Sequence, residues 1–155
     1  MIIQPESPTS HDVVALLETH LEFSRAASPP EHVHALDLDG LSADDVTFYV
    51  GREDGALQGV GALRTLGDHR AEIKSMHTAA AARGRGVARR MLEHLLAAAD
   101  ASGVTWIGLE TGTMDEFAPA RQLYASVGFV ECDPFDDYTS NPYSVCMSLD
   151  LLATS

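Results

Sequence analysis

The feature that most constrains this chain is a hexapeptide rich in glycine and arginine, residues 83–88, between a predicted strand and a predicted helix. Residues 71–78 alternate with a period of two, which predicts a strand with Glu72, Lys74, Met76 and Thr78 on one side. From the end of the hexapeptide onward, apolar residues recur at helical spacing: Val87, Met91, Leu92, Leu95 and Leu96. Each glycine in a helix costs about 1 kcal/mol relative to alanine, so the presence of Gly84 and Gly86 at the start of this helix requires an explanation.

An anion that must come close to the backbone would explain the glycines. Without a Cβ atom the main chain is open to a ligand, and the free N–H groups of a first helical turn point at it. The helix dipole adds roughly half a positive charge there. Arg83 and Arg85 add two more charges, in a chain with a formal net charge of −13. The hexapeptide is therefore predicted to bind a phosphate, with a simple capping loop as the alternative.

Two common phosphate-binding patterns do not fit these residues. The dinucleotide pattern G-x-G-x-x-G requires a third glycine where Arg89 stands. A P-loop ends in Gly-Lys followed by Ser or Thr, and the stretch has no such ending. The pattern that remains is R-x-x-G-x-A after a strand.

Length and composition narrow the class further. A chain of 155 residues predicts one domain, 1–155, and its acidic charge argues against nucleic acid or an anionic membrane as a partner. Cys132 and Cys146 do not form a C-x-x-C pair, so no metal site is expected. With two apolar-looking thiols, no signal peptide and no apolar run of membrane-spanning length, we expect a reducing cytoplasm.

Periodicity along the rest of the chain predicts alternating strands and helices. Helices are expected after Ser10 and over residues 116–126, and a short helix or lid over 31–45. The remaining strands are expected at residues 1–4, 46–50, 57–63, 104–109, 129–130 and 144–149. Gly59 and Gly61 within one of these strands indicate a close approach of backbone or ligand. The order is β-α-(α)-β-β-β-α-β-α-β-β.

Two motifs, in the order in which they follow one another along the chain, resemble those of the GNAT superfamily of N-acetyltransferases. The first is R-x-x-G-x-A at residues 83–88, and the second is A-x-x-L-Y-x-x-x-G-F from Ala120 to Phe129. The resemblance implies an α/β (α+β) fold with a mixed, mostly antiparallel sheet whose central strands, here 71–78 and 104–109, splay apart. It also implies acetyl-CoA as acyl donor and N-acetylation as the reaction, with a homodimer as one possibility.

The resemblance assigns the cofactor contacts to two stretches. The pantetheine arm would pair with backbone groups of Met76, His77 and Thr78. The pyrophosphate would rest on the N–H groups of the loop, namely Arg83, Gly84, Arg85, Gly86, Val87 and Ala88. Many family members carry Asn seven residues before the motif tyrosine, whereas this chain has Phe117, so that contact is not expected here.

The chemistry requires a base for the amine and a proton donor for the leaving thiolate. Tyr124 matches the tyrosine that the family uses as donor. Glu72 is the leading base, with an ion pair to Lys74 or Arg70 as its alternative role. Glu110, with Thr111 beside it, is the second candidate, either as base or as a substrate contact. His77 is expected on the side of the strand opposite Glu72.

The sequence leaves the acceptor open. A small-molecule amine, acetylated by direct attack in a ternary complex, is the first hypothesis. An acyl-CoA-binding regulatory module without catalysis and a protein lysine or N-terminal acetyltransferase are the alternatives. Residues 31–45 and 132–142 are expected to form the acceptor pocket. Cys146 lies in an alternating strand, which favours a core role over a covalent acyl-enzyme.

Overall fold

The computed structural model describes residues 1–27, 38–136 and 138–154, and the predicted segment 31–45 lies within it only from residue 38 onward. The strands are β1 (Ile2–Pro5), β2 (Val46–Glu53), β3 (Ala56–Gly67), β4 (Arg70–Thr78), β5 (Trp106–Gly112), β6 (Val130–Cys132) and β7 (Ser144–Asp150). The α-helices are α1 (His11–Ala27), α2 (Leu38–Leu41), α3 (Val87–Ala101) and α4 (Ala118–Ser126), with short 3₁₀ turns before α3 and α4. No helix among the described residues is long and apolar enough to cross a membrane.

The seven strands form one sheet in the order β1-β2-β3-β4-β5-β7-β6. All neighbouring strands are antiparallel except β4 and β5, which run parallel. Strands β2, β3 and β4 form an antiparallel meander, because each connection between them is a two-residue turn. The mixed, mostly antiparallel sheet is confirmed.

The sheet has two differently packed faces. The α1 face carries Phe48, Val50, Val60 and Ala62, which pack with Val13 and Leu16 of α1 and with Leu41 of α2. The α3 face carries residues that pack with Met91, Leu92 and Leu95 of α3 and with Tyr124 of α4, including Ala71, Ile73, Ile107, Leu109 and Met147. The helical spacing read from the sequence thus marks the buried side of α3.

The predicted splay lies between β4 and β5. These two strands pair only over Arg70–Trp106, Ala71–Ile107 and Glu72–Gly108. Beyond that point β4 continues to Thr78, while β5 continues to Gly112 paired with β7 alone. The sheet therefore opens after Glu72 and Gly108, and the second half of β4 has no pairing with β5.

A β-bulge in β4 overturns one prediction about the sides of this strand. Ser75 has a φ of 55°, and the register moves from Ala62–Lys74 to Val60–His77, so two residues of β4 oppose Gly61. The extra residue turns His77 onto the α1 face with Glu72 and Lys74. Met76 and Thr78 turn onto the α3 face. The sequence predicted that His77 faces away from Glu72 and that Met76 and Thr78 lie on the same side as Glu72. Both predictions were wrong, because they assumed strict alternation along the strand and a bulge interrupts it.

The paired glycines of β3 make room for α3. A Cβ atom on Gly61 would lie 3.1 Å from side-chain atoms of Met91 and Leu95. A Cβ atom on Gly59 would lie 3.0 Å from Cγ1 of Val87 and from the backbone oxygen of His77. The sequence suggested that either backbone or a ligand comes close to these glycines. In the structure, α3 and β4 are the elements that come close to them.

Candidate functional site

The hexapeptide at the start of α3 forms a cradle of open backbone amides. Gly84 and Gly86 have φ values of 78° and 76°, in the left-handed region that glycine adopts readily. A Cβ atom at either position would meet nothing within 4 Å, so the space beside the backbone is open. Among the described residues, the first backbone bond of α3 runs from the N–H of Arg90 to the oxygen of Gly86, at 3.1 Å. Within the part of the chain that the structure describes, the amides from Gly84 to Arg89 thus donate to no backbone acceptor.

The arginines around the cradle fall into two groups. Arg89 donates to Oγ of Ser126 at 2.8 Å, and Arg90 donates to the backbone oxygen of Met1 at 3.2 Å. Arg83 and Arg85 are exposed and make no ion pair with any residue that the structure describes. These two guanidinium groups, together with the amides and the helix dipole, fit an anionic group.

The cradle lies at the open end of the splay. Val87, the first residue of α3, packs over Gly59, which pairs with Thr78 at the end of β4. Met76, His77 and Thr78 all follow the last pair between β4 and β5. An elongated ligand anchored on the cradle would therefore reach the side of β4 that does not pair with β5.

A buried polar cluster occupies the α1 face where the splay begins. The carboxylate of Glu72 is 0% exposed. Its Oε2 atom accepts hydrogen bonds from the hydroxyl of Tyr138 and, at 3.3 Å, from Nζ of Lys74. Lys74 also donates to the Tyr138 hydroxyl at 2.8 Å. Oε1 of Glu72 accepts no hydrogen bond among the described residues and lies 3.8 Å from Arg64.

These contacts decide between the two ion pairs that the sequence suggested for Glu72, with Lys74 or with Arg70. Of the two alternatives raised by the sequence, the pair with Lys74 is present. Arg70 instead lies over the ring of Trp106, 5.4 Å from its centroid. Burial and the negative charge of Glu72 raise the pKa of Tyr138 well above its usual value, so its phenol remains protonated.

The segment between β6 and β7 is fixed over this cluster by two further contacts. Asp136 accepts a 2.9 Å hydrogen bond from Arg64, which also contacts Asp45 at 3.3 Å. The ring of Phe135 packs edge-on against Trp106 with 5.2 Å between centroids. Gly108 of β5 makes this packing possible, since a Cβ atom there would lie 2.5 Å from the Trp106 ring.

The second candidate base lies on the same face as the first. Glu110 pairs with Cys146 and is two residues past the last β4–β5 pair, on the α1 face. Its charge contributes to the raised pKa of Tyr138, so both carboxylates act on one phenol. Thr111 pairs with Val145 and points to the opposite face. Burial raises the pKa of the Cys146 thiol to about 11, which keeps it neutral and suits a core residue.

Tyr124 lies on the other side of the sheet. It is 8% exposed in the core of the α3 face, with its ring 5.8 Å from that of Phe129. Burial raises the pKa of Tyr124 to about 12. Its hydroxyl makes no hydrogen bond within the described part of the chain. Tyr124 and Glu72 thus lie on opposite faces of the sheet.

Phe117 packs where the sequence departs from the family pattern. Its ring covers Gly112 at the end of β5, where an added Cβ atom would lie 2.1 Å from it. Arg121 supports the same turn by donating to the backbone oxygens of Gly112, at 2.6 Å, and Met114, at 3.0 Å. Phe117 therefore serves packing at this strand end.

Sequence reasoning missed three members of the polar cluster: Tyr138, Arg64 and Asp136. They come from β3 and the segment after β6, and no spacing in the sequence connects these to Glu72. The strand positions of Arg64 and Glu72 are a direct pair in the β3–β4 register, which is the one signal that could have indicated that contact. No cluster of three metal-ligating residues occurs in the described ranges.

Comparison with known proteins shows which proteins the chain is similar to. The model of the Acetyltransferase (GNAT) family matches residues 13–129. The chain is 42% identical over 151 residues to YsnE of Bacillus subtilis, an uncharacterized N-acetyltransferase, covering 97% of this chain and 100% of that protein. It is 41% identical over 149 residues to YedL of Escherichia coli, also an uncharacterized N-acetyltransferase, with 96% and 94% covered. A Bacillus subtilis acetyltransferase solved in complex with CoA superposes with a TM-score of 0.71 at 18% identity, covering 96% of this chain and 97% of that one.

Proposed function

The chain belongs to the GNAT acetyltransferase family, and we propose that it transfers the acetyl group of acetyl-CoA directly to the amine of a small molecule in a ternary complex. The observation that carries the proposal is the buried carboxylate of Glu72 at the point where the sheet opens. Glu72 lies on the α1 face and Tyr124 on the α3 face. The proposal places the reacting groups in the slot between β4 and β5, with the base on one face of the sheet and the proton donor on the other.

The cradle and the slot would bind successive parts of acetyl-CoA. The amides of residues 84–89, with Arg83 and Arg85, would hold the pyrophosphate. Backbone groups of Met76, His77 and Thr78 would pair with the pantetheine arm as a neighbouring strand does. Acetyl-CoA supplies an activated acyl group as a thioester. The solved relative that contains CoA supports this assignment by its fold.

Glu72 answers the main energetic difficulty of the reaction. An alkylamine with a pKa near 10.4 is neutral in roughly one molecule of a few thousand at pH 7, a deficit of about 4–5 kcal/mol. Glu72 would take one proton from the ammonium, after which the nitrogen–carbon bond forms as the carbon–sulfur bond breaks. The nitrogen then loses a second proton, which passes to the leaving sulfur to give the CoA thiol. Because the Cys146 thiol is held neutral by its raised pKa, direct attack is favoured over a covalent enzyme intermediate.

Tyr124 would stabilise the leaving thiolate by a hydrogen bond. Replacing Tyr124 by Phe is expected to lower kcat by about 10- to 100-fold, with binding of acetyl-CoA unchanged. Since the pKa of Tyr124 is raised to about 12, its ionisation should not reduce the wild-type rate below about pH 11. Steady-state rates of both proteins from pH 7 to 10, with calorimetric binding of acetyl-CoA, check this. An unchanged rate in the variant would remove Tyr124 from the mechanism.

An acceptor screen tests the function itself. The wild-type protein and acetyl-CoA are incubated with free amino acids, polyamines, simple alkylamines and lysine-rich peptides, and release of the CoA thiol is followed. Acetylation of small amines in preference to peptides is expected. Preference for peptides would favour the protein acetyltransferase. Tight acetyl-CoA binding with no acceptor in any class would favour a regulatory module.

A further inference from the structure

The full burial of Glu72 raises the question of how a proton reaches it. Its carboxylate is 0% exposed, and three polar side chains from three segments surround it: Lys74 on β4, Arg64 on β3, and Tyr138 after β6. Arg64 lies against Oε1, held in place by Asp45 and Asp136, while Tyr138 and Lys74 occupy Oε2. An amine on the α1 face therefore meets these neighbours before it meets the base.

Only one of the three neighbours can pass a proton on. A guanidinium and an ammonium group have donors but no acceptor, so Arg64 and Lys74 cannot take a proton from an amine. A phenol both donates and accepts. The Tyr138 hydroxyl already donates to Oε2 of Glu72 and accepts from Lys74 at 2.8 Å. Tyr138 is also only half-buried, whereas the carboxylate behind it is sealed.

We propose that Tyr138 is a further catalytic residue, which carries the proton of the acceptor ammonium to Glu72, and this rests on the function proposed above. In the step, an N–H bond of the ammonium breaks and its proton binds the phenol oxygen. The phenol proton passes to Oε2 of Glu72 in the same event, so Tyr138 ends neutral, as it began. The amine becomes neutral and the carboxylate becomes a carboxylic acid, which later releases its proton to solvent.

The surroundings of Tyr138 suit a residue that relays without ionising. Burial and the charges of Glu72 and Glu110 raise its pKa, so a free tyrosinate is disfavoured and both proton movements must occur together. Lys74 fixes the phenol oxygen by a hydrogen bond of 2.8 Å. The contacts of Phe135 with Trp106 and of Asp136 with Arg64 hold the segment in position.

The test uses two amines of the same shape that differ in basicity. Propylamine is almost wholly protonated at pH 7, whereas O-ethylhydroxylamine, with oxygen in place of one methylene, is already neutral. Tyr138→Phe is expected to lower kcat/KM for propylamine by about 10- to 100-fold, and for O-ethylhydroxylamine by less than about 3-fold. The matched control is Tyr49→Phe, which removes a phenol hydroxyl from the core of the α3 face and should leave both rates near wild type.

A double variant tests whether Tyr138 acts through Glu72. If Tyr138 acts only through Glu72, adding Tyr138→Phe to Glu72→Gln should cost no further activity with propylamine. Calorimetric binding of acetyl-CoA confirms that each variant is folded.

The outcomes separate the relay from the proposed function. Equal losses for both amines would make Tyr138 a structural residue, and no loss would mean that the amine reaches Oε1 of Glu72 directly. Either result overturns the relay while leaving acetyl transfer intact. A wild-type protein that binds acetyl-CoA but acetylates no amine would overturn the proposed function, and the relay with it.

Discussion

Replacing Glu72 by Gln should reduce kcat/KM for an alkylamine at pH 7 by about 100-fold or more, the range that loss of a general base produces. The amide has the shape of the carboxylate but cannot take up the proton. The loss should be in the rate, because the cradle that would hold acetyl-CoA lies at the other end of β4. Steady-state kinetics with the best amine from the screen, alongside acetyl-CoA titration, measure both effects.

The neighbouring carboxylate supplies the control for this experiment. Glu110→Gln removes a charge from the same face, two residues beyond the last β4–β5 pair. We expect it to cost less than about 10-fold, since Glu110 acts on Tyr138 through its charge rather than as the base. Glu72→Gln leaves Lys74 buried without its ion-pair partner, so Glu72→Asp, which keeps the charge, guards against a folding defect. A large loss in Glu110→Gln and a small one in Glu72→Gln would exchange their roles.

Introducing Asp at Gly86 should weaken acetyl-CoA binding by about 100-fold relative to Asn at the same position. A unit charge about 4 Å from a phosphate near the protein surface is worth up to about 4 kcal/mol before screening, and each 1.4 kcal/mol is about tenfold in affinity. The position is open, with nothing within 4 Å of an added Cβ atom. Calorimetric titration of both variants and the wild type at low salt gives the three affinities.

The two Gly86 variants are matched in shape and in backbone cost. Asn and Asp both tolerate the left-handed region better than other residues, so the φ of 76° burdens them about equally. Gly86→Asn should therefore bind acetyl-CoA only a few-fold more weakly than the wild type. The difference between the variants should also shrink as salt is raised, because surface charges are screened. Equal binding by Asp and Asn variants would place the pyrophosphate elsewhere.

The sequence by itself determined the family, the order of the elements and the glycine-rich loop that opens α3. These depend on short-range signals: the period of two in β4, the period of 3.6 in α3, and glycines at residues 84 and 86 where φ is positive. Two motifs, each local in the chain, then carried the resemblance that the family model and the relatives confirm. Local geometry is encoded locally, so no knowledge of distant contacts was needed.

The tertiary structure alone decided the surroundings of the proposed base. The bulge at Ser75 moved His77 to the face of Glu72, because one extra residue reverses every side chain that follows it. Tyr138 reaches Glu72 across 66 residues of sequence, and Arg64 reaches Asp136 across 72. Such contacts depend on which strands become neighbours and on where the segment after β6 packs. The periodicity of the sequence does not indicate which strands are neighbours or where this segment packs. For that reason the proton relay could be inferred only from the folded chain.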